Sequence, residues 1–126
     1  MLIQSIKNNL SENIELLRQL TNDEFKQKNP ELSNATIGEH MRHIIELFGC
    51  LLENYDYGLI NYDDRKRDVL LQTDKNEAIA IIEKYLLELD KPNKPLSLTH
   101  NCFSPIELLQ TNYFRELIYN LEHSIH

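Results

Sequence analysis

The side chains best placed by type and spacing to do chemistry in this chain are histidines. There are five, and four of them fall in two pairs. HMRH carries His40 and His43, and HSIH carries His123 and His126. Residues three apart on a helix lie near one face, so each pair could present two imidazoles to one ion. Neutral imidazole is the commonest ligand for zinc, nickel and related metals. A metal held between helices of a bundle is a recurrent arrangement. Other catalytic classes have no such support: there is no Ser/His/Asp arrangement, no glycine-rich phosphate loop and no CxxC.

These residues must be positioned by helices. Apolar residues at Ile3, Ile6, Leu10, Ile14, Leu17 and Leu20 step by three and four, which predicts an amphipathic helix near 2–20. Thr21 to Glu24 predicts a break with a short capped turn, and residues 29–36 read as a loop after Pro30. Thr36 followed by Glu39 predicts a capping box opening a helix near 36–57, with the seam Ile37, Met41, Ile44, Phe48, Leu51 and Tyr55. Gly58 is its expected stop. Residues 59–72 form a charged connector. Thr73 is expected to open a third helix, near 73–90, which Pro92 and Pro95 terminate. Residues 96–111 alternate and predict a short β-hairpin or irregular excursion. Asn112 or Thr111 then caps a fourth helix, near 112–126, with the seam Phe114, Leu117, Ile118, Leu121 and Ile125. The expected fold class is all-α, a four-helix bundle, with a short hairpin between helices 3 and 4.

On a helical wheel turning about 100° per residue, His123 lies opposite the apolar cluster of the fourth helix. Glu116 lies beside it, with Tyr119 and Asn120 flanking. His43 sits off the seam of the second helix, near Glu39, Glu46 and Cys50, and His40 lies closer to that seam. A stripe opposite a seam usually faces solvent. The alternative is that both helices are buried on two sides around a polar inner groove.

Length and composition bound the functional classes. A chain of 126 residues reads as one domain, 1–126, and can bury a core without disulfides. A formal charge of −7 argues against nucleic acid and anionic membrane as partners. No apolar run approaches the roughly 20 residues of a membrane span, and the N-terminus lacks a signal peptide's apolar region. Cys50 and Cys102 read as free thiols in a reducing cytoplasm.

ATIGEHMRHIIELFGCLLENYDYGLINYDDRKRD, followed by YFRELIYNLEHSIH, resembles the DinB/YfiT-like superfamily, most specifically in GEHMRHI, NYDDRKRD and the last-helix motif. The resemblance covers most of the chain. It implies an up-down-down-up four-helix bundle. Some relatives are metal-dependent enzymes of hydrolase-like or thiol S-transferase-like kinds, acting on small molecules. The family's metal site takes one histidine from the second helix and an HxxxH pair from the last. By that match the ligands here are His43 and His123. The third ligand would fall one residue beyond His126, so the last helix reads as stopping within its metal motif. His126 and the carboxylates Glu116 and Glu39 are candidates to complete the shell, with His40 a further lesser candidate. A bundle helix that stops early leaves an apolar strip uncovered, and the expectation is a homodimer.

Two readings follow. One is a metal-dependent enzyme with a divalent nickel or zinc ion between helices 2 and 4. The other is a non-catalytic binding or oligomerisation module whose histidines are structural or vestigial.

Overall fold

The computed structural model describes residues 1–125. In chain order the elements are α1 (Leu2–Gln19), α2 (Asn22–Lys26), β1 (Lys28–Asn29), β2 (Ala35–Thr36), α3 (Ile37–Glu53), β3 (Leu59–Ile60), α4 (Leu70–Thr73), α5 (Lys75–Glu88), β4 (Pro95–Leu98), β5 (Leu109–Asn112) and α6 (Tyr113–Ile125). Short 3-10 turns occupy Pro30–Leu32 and Tyr62–Asp64.

The four long helices take their directions from contacts at their ends. Tyr55, just after α3, donates its hydroxyl to Pro92 O at 2.6 Å, and Gly38 at the start of α3 backs onto Gln72, so α3 and α5 run the same way. Lys7 pairs with Asp90 and Arg18 with Glu83, which sets α1 antiparallel to α5. Tyr113 meets Tyr55 edge-on at 5.0 Å, so α6 starts where α3 ends and returns along it.

This is not the all-α four-helix bundle expected from periodicity and resemblance. Among the described residues, six helices are joined by two small sheets, making the fold mixed α/β. β1 and β2 form a two-stranded antiparallel ladder within what reads as loop. β3, β4 and β5 form a second sheet in that order, with β3 parallel to β4 and β4 antiparallel to β5. The parallel pair needs a long crossover, and α4 with α5 supplies it. The antiparallel β4–β5 pair is the short hairpin expected between the last two long helices; β1, β2 and β3 carry no such signal because each is two residues long, shorter than any alternation that could announce it.

Helix starts follow local chemistry. The capping box at α2 is complete: Thr21 accepts from the Glu24 N–H and Glu24 accepts from the Thr21 N–H. At α3 the Thr36 hydroxyl accepts from the Glu39 N–H at 2.9 Å, but no return bond from the Thr36 N–H to Glu39 is present among the described residues. The expected box is therefore one-sided. α5 opens on Asp74, not on Thr73, which ends the separate helix α4. Asp74 accepts from the Asn76 N–H at 3.0 Å, and a carboxylate also answers the positive end of the helix dipole.

The core gathers Ile6, Leu10 and Leu17 of α1, Phe25 of α2, Ile44, Phe48 and Leu51 of α3, Ile82 of α5 and Leu117 of α6. α3 is buried on nearly every side over Ile44–Leu52, which makes it the central helix. α6 keeps part of its expected seam, with Leu117 in the core and Phe114 and Leu121 packed against it, but not all of it. Ile118 and Ile125 are 46% and 58% exposed, while Tyr113, Glu116, Leu117, Asn120 and Ser124 face inward. That inward face carries polar groups that are mostly hydrogen-bonded: Glu116, Ser124 and Asn120 Nδ2 have partners, while Asn120 Oδ1 has none among the described residues. No described helix is long and apolar enough to cross a membrane.

Candidate functional site

α3 and α6 lie antiparallel, and the half-buried His43 and His123 meet across them with ring centroids 5.9 Å apart. They stand at a cleft of about 840 Å³. Its other walls come from the loop after β3, through Tyr62, Asp63 and Arg65, and from the loop after β4, through His100, Cys102 and Phe103. The volume falls within the range of small-molecule sites.

His123 is oriented by its own helix. Its Nδ1 lies 3.1 Å from the Tyr119 carbonyl, which can only accept, so the hydrogen bond requires the proton on Nδ1. That leaves Nε2 with a free lone pair, the state in which an imidazole binds a metal. The Tyr119 ring packs on the imidazole at 4.3 Å and on Tyr62 at 5.3 Å. Burial holds His43 below the ordinary imidazole range, and the Arg65 guanidinium acts in the same direction, against a smaller opposing pull from Glu46. His43 is therefore neutral and ligand-competent at neutral pH.

The floor of the cleft is a polar network on the inward face of α6. Glu116 is 4% exposed. Its Oε1 accepts from the Tyr62 hydroxyl at 2.8 Å and its Oε2 from the Thr111 hydroxyl at 2.6 Å. Asn120 donates through Nδ2 to the Tyr62 hydroxyl oxygen at 3.1 Å and to the Glu116 carbonyl at 2.9 Å. Burial, reinforced by the Glu116 charge, holds the Tyr62 phenol well above its usual range, so it remains a donor. Both Glu116 oxygens are thus committed to hydroxyl donors.

Behind His43 lies a second charged group. Glu46 is buried between Arg65 at 3.5 Å and Arg42 at 3.7 Å, and its Oε2 accepts from the Asp68 N–H at 3.0 Å. DDRKRD thus divides. Arg65 turns inward to Glu46 and the cleft, while Lys66 stays exposed with Glu53 at 3.7 Å.

The sequence-derived candidates separate accordingly. The fold brings His43 and His123 together and puts Glu116 in the same cleft. His40 is half-buried but does not line the cleft. Glu39 is exposed and also lies off it. Cys50 faces away, donating to Asn61 O at 3.4 Å. His126 lies outside the described residues. His100, without a partner by spacing, has its Nδ1 3.2 Å from Asp63 Oδ2, and that nitrogen also accepts from the Cys102 N–H. Tyr62 and Arg65 line the cleft, and Thr111 supports Glu116 without lining it; sequence spacing singled out none of the three. Tyr62 and Arg65 lie within NYDDRKRD, which the resemblance marks without giving it a chemical role.

His43 and His123 are the two imidazoles at the cleft whose chemistry suits a divalent metal. Among the described residues no group of three or more His, Cys, Asp or Glu side chains is placed to hold an ion. No protein-family model, curated protein or solved structure matches the chain.

Proposed function

We propose that the cleft is a small-molecule site of the DinB-like kind, in which His43 and His123 hold a divalent ion such as nickel or zinc. The supporting observation is the convergence of two imidazoles from separate helices at 5.9 Å, on the wall of a cleft of about 840 Å³. Such an ion, when bound, lowers the pKa of a bound water or thiol and so supplies a nucleophile near neutral pH. This is chemistry suited to a hydrolase or a thiol transferase.

The chain's own residues prepare the site. The Tyr119 carbonyl fixes His123 with Nε2 free. Arg65 disfavours a proton on His43. Tyr62 and Thr111 pin the Glu116 carboxylate at the floor, which gives the cleft a fixed polar end. Leu98, Phe103 and Phe114 line an apolar wall that can exclude water from a bound substrate.

The test is calorimetric titration of nickel and zinc into chelator-treated protein. One ion per chain is expected for the parent. His43→Ala and His123→Ala should each weaken binding by about tenfold or more, ~1.4 kcal/mol, and His40→Ala should change it little. Equal binding by His43→Ala and the parent would remove the metal from this site. It would leave the cleft as the pocket of a non-catalytic binding module.

A further inference from the structure

The larger sheet ends on an open edge. Among the described residues β5 pairs with β4 on one side and with no strand on the other. The register fixes which groups it leaves free. The Tyr113 N–H donates to Lys94 O at 3.0 Å, in line with the pairs Leu96–Thr111 and Leu98–Leu109. Main-chain groups alternate sides along a strand of an antiparallel ladder. Leu109 and Thr111 therefore turn theirs to β4, and Gln110 and Asn112 turn theirs outward. Among the described residues the Gln110 N–H and C=O and the Asn112 N–H have no hydrogen-bond partner. The same edge is apolar: Ile106, Leu108 and Leu109 are 79%, 56% and 46% exposed. Open edges are usually blunted by charge, proline or a bulge. From Ile106 to Asn112 the single charge is Glu107.

Two charges bracket this edge. Glu107 lies just before β5 and Arg115 just after it. Both are exposed, and neither has an ion-pair partner among the described residues. A strand with an acid at one end and a base at the other is complementary to an antiparallel copy of itself. We infer that β5 pairs antiparallel with β5 of a second copy of the chain, about a two-fold axis at Gln110. The two Gln110 residues exchange both main-chain bonds, and the Asn112 N–H of each copy reaches Leu108 O of the other. Leu109 of each copy lies opposite Thr111 of its partner, and Glu107 lies at the partner's Arg115 end. Free main-chain groups alone would accept any strand. An antiparallel copy answers the groups, the apolar side chains and both charges with one surface, as a two-fold interface requires. The strand is short, so the interface lies at the small end of specific ones and the dimer forms at micromolar concentration. This pairing is independent of the cleft and of any metal.

The experiment is sedimentation equilibrium on the full-length protein, with amide hydrogen exchange read alongside. It is run at about 0.15 M salt, where the chain's charge of −7 is screened beyond ~8 Å. The parent should pass from monomer to dimer across the micromolar range, and the Gln110 and Asn112 amides should exchange more slowly as the dimer fills. Gln110→Pro removes an outward N–H at the axis and leaves the bonds to β4 in place, so it should raise the dimer dissociation constant by about tenfold or more. Arg115→Glu should also weaken the dimer, because it sets two acids against each other. Adding Glu107→Arg to that variant should restore it. Circular dichroism confirms that each variant is folded, and if Gln110→Pro is not, the charge reversals decide alone. A parent that stays monomeric throughout would overturn the pairing, even if it captured an extended segment of another protein. So would a folded Gln110→Pro that dimerises as the parent does, or charge reversals without the expected loss and recovery.

Discussion

His43 and His123 face one another at 5.9 Å because α6 starts beside Tyr55 at the far end of α3 and runs back along it. Their meeting is a consequence of helix direction, and their readiness to bind is a consequence of tautomer. The Tyr119 carbonyl requires the proton of His123 on Nδ1. Long-range nitrogen–proton NMR at neutral pH should therefore show His123 as the Nδ1–H tautomer, with Nε2 as the acceptor-type nitrogen. Zinc should then shift the Nε2 resonance most. A dominant Nε2–H form would show that the contact with Tyr119 is not a hydrogen bond, and that the ring is not preset for a metal.

The two cysteines should behave differently. Cys102 is exposed on the loop beside the cleft, whereas Cys50 is buried on α3. Burial pushes the Cys50 thiol up to about 11, so very little of it is thiolate near neutrality. A thiol-reactive disulfide reagent at pH 8 should titrate one fast thiol, removed by Cys102→Ser, and a second only after denaturation. The same shift has a stability consequence. A thiol in the unfolded chain loses its proton near its ordinary value of 9.0, while the folded protein retains it. The folded state therefore binds more protons between about pH 9 and 11, and its stability is complete below that window and falls as pH rises through it. Urea midpoints should drop across the window, and less steeply in Cys50→Ala. Two equally fast thiols at pH 8 would contradict the buried placement.

What could be read in the sequence depended on the length over which a pattern repeats. The faces of α1 and α3 could be read from Ile6, Leu10, Ile14 and Leu17, and from Met41, Ile44, Phe48 and Leu51, because these steps persist through several turns. The face of α6 could be read only in part, through Leu117, Phe114 and Leu121. Phe114, Ile118, Leu121 and Ile125 make a good apolar stripe, yet the protein buries Glu116, Asn120 and Ser124. Tertiary partners decided this: Tyr62 and Thr111 for Glu116, and Asn9, which accepts from the Ser124 hydroxyl at 2.7 Å. The His43–His123 pairing came from the motif match, since the wheel preferred His40. The other cleft wall was illegible because Tyr62, Arg65 and His100 lie on irregular segments, where no period says which way a side chain turns.

Gly38 marks a close approach that no other residue can make. A Cβ there would lie 2.1 Å from Gln72 O and 2.8 Å from Gln72 C, both backbone atoms that cannot rotate away. Gly38→Ala should force α3 away from the end of α4 and cost about 1–3 kcal/mol, the usual penalty of overpacking. That outweighs the roughly 1 kcal/mol that alanine gains over glycine in a helix interior. Chemical denaturation would show it as a lowered midpoint with an unchanged slope. A midpoint equal to or above that of the parent would mean that the two segments do not touch as described.

The Tyr62–Glu116 hydrogen bond joins the loop after β3 to α6, and its loss should be felt in both stability and cleft order. Tyr62→Phe keeps the ring, and so its packing on Tyr119, but removes the donor to Glu116 and the acceptor for Asn120. Glu116 would keep only Thr111 as a side-chain donor, while staying buried. An under-satisfied buried carboxylate costs about 1–3 kcal/mol. The double variant Tyr62→Phe/Glu116→Gln replaces that charge by a neutral amide and should recover part of the loss. A double-mutant cycle read by thermal unfolding measures the coupling directly. A coupling energy near zero, with Tyr62→Phe as stable as the parent, would show that the network at the cleft floor is not held by this bond. Coupling of about 1 kcal/mol or more would place Tyr62 as the residue that fixes Glu116 beneath the histidine pair.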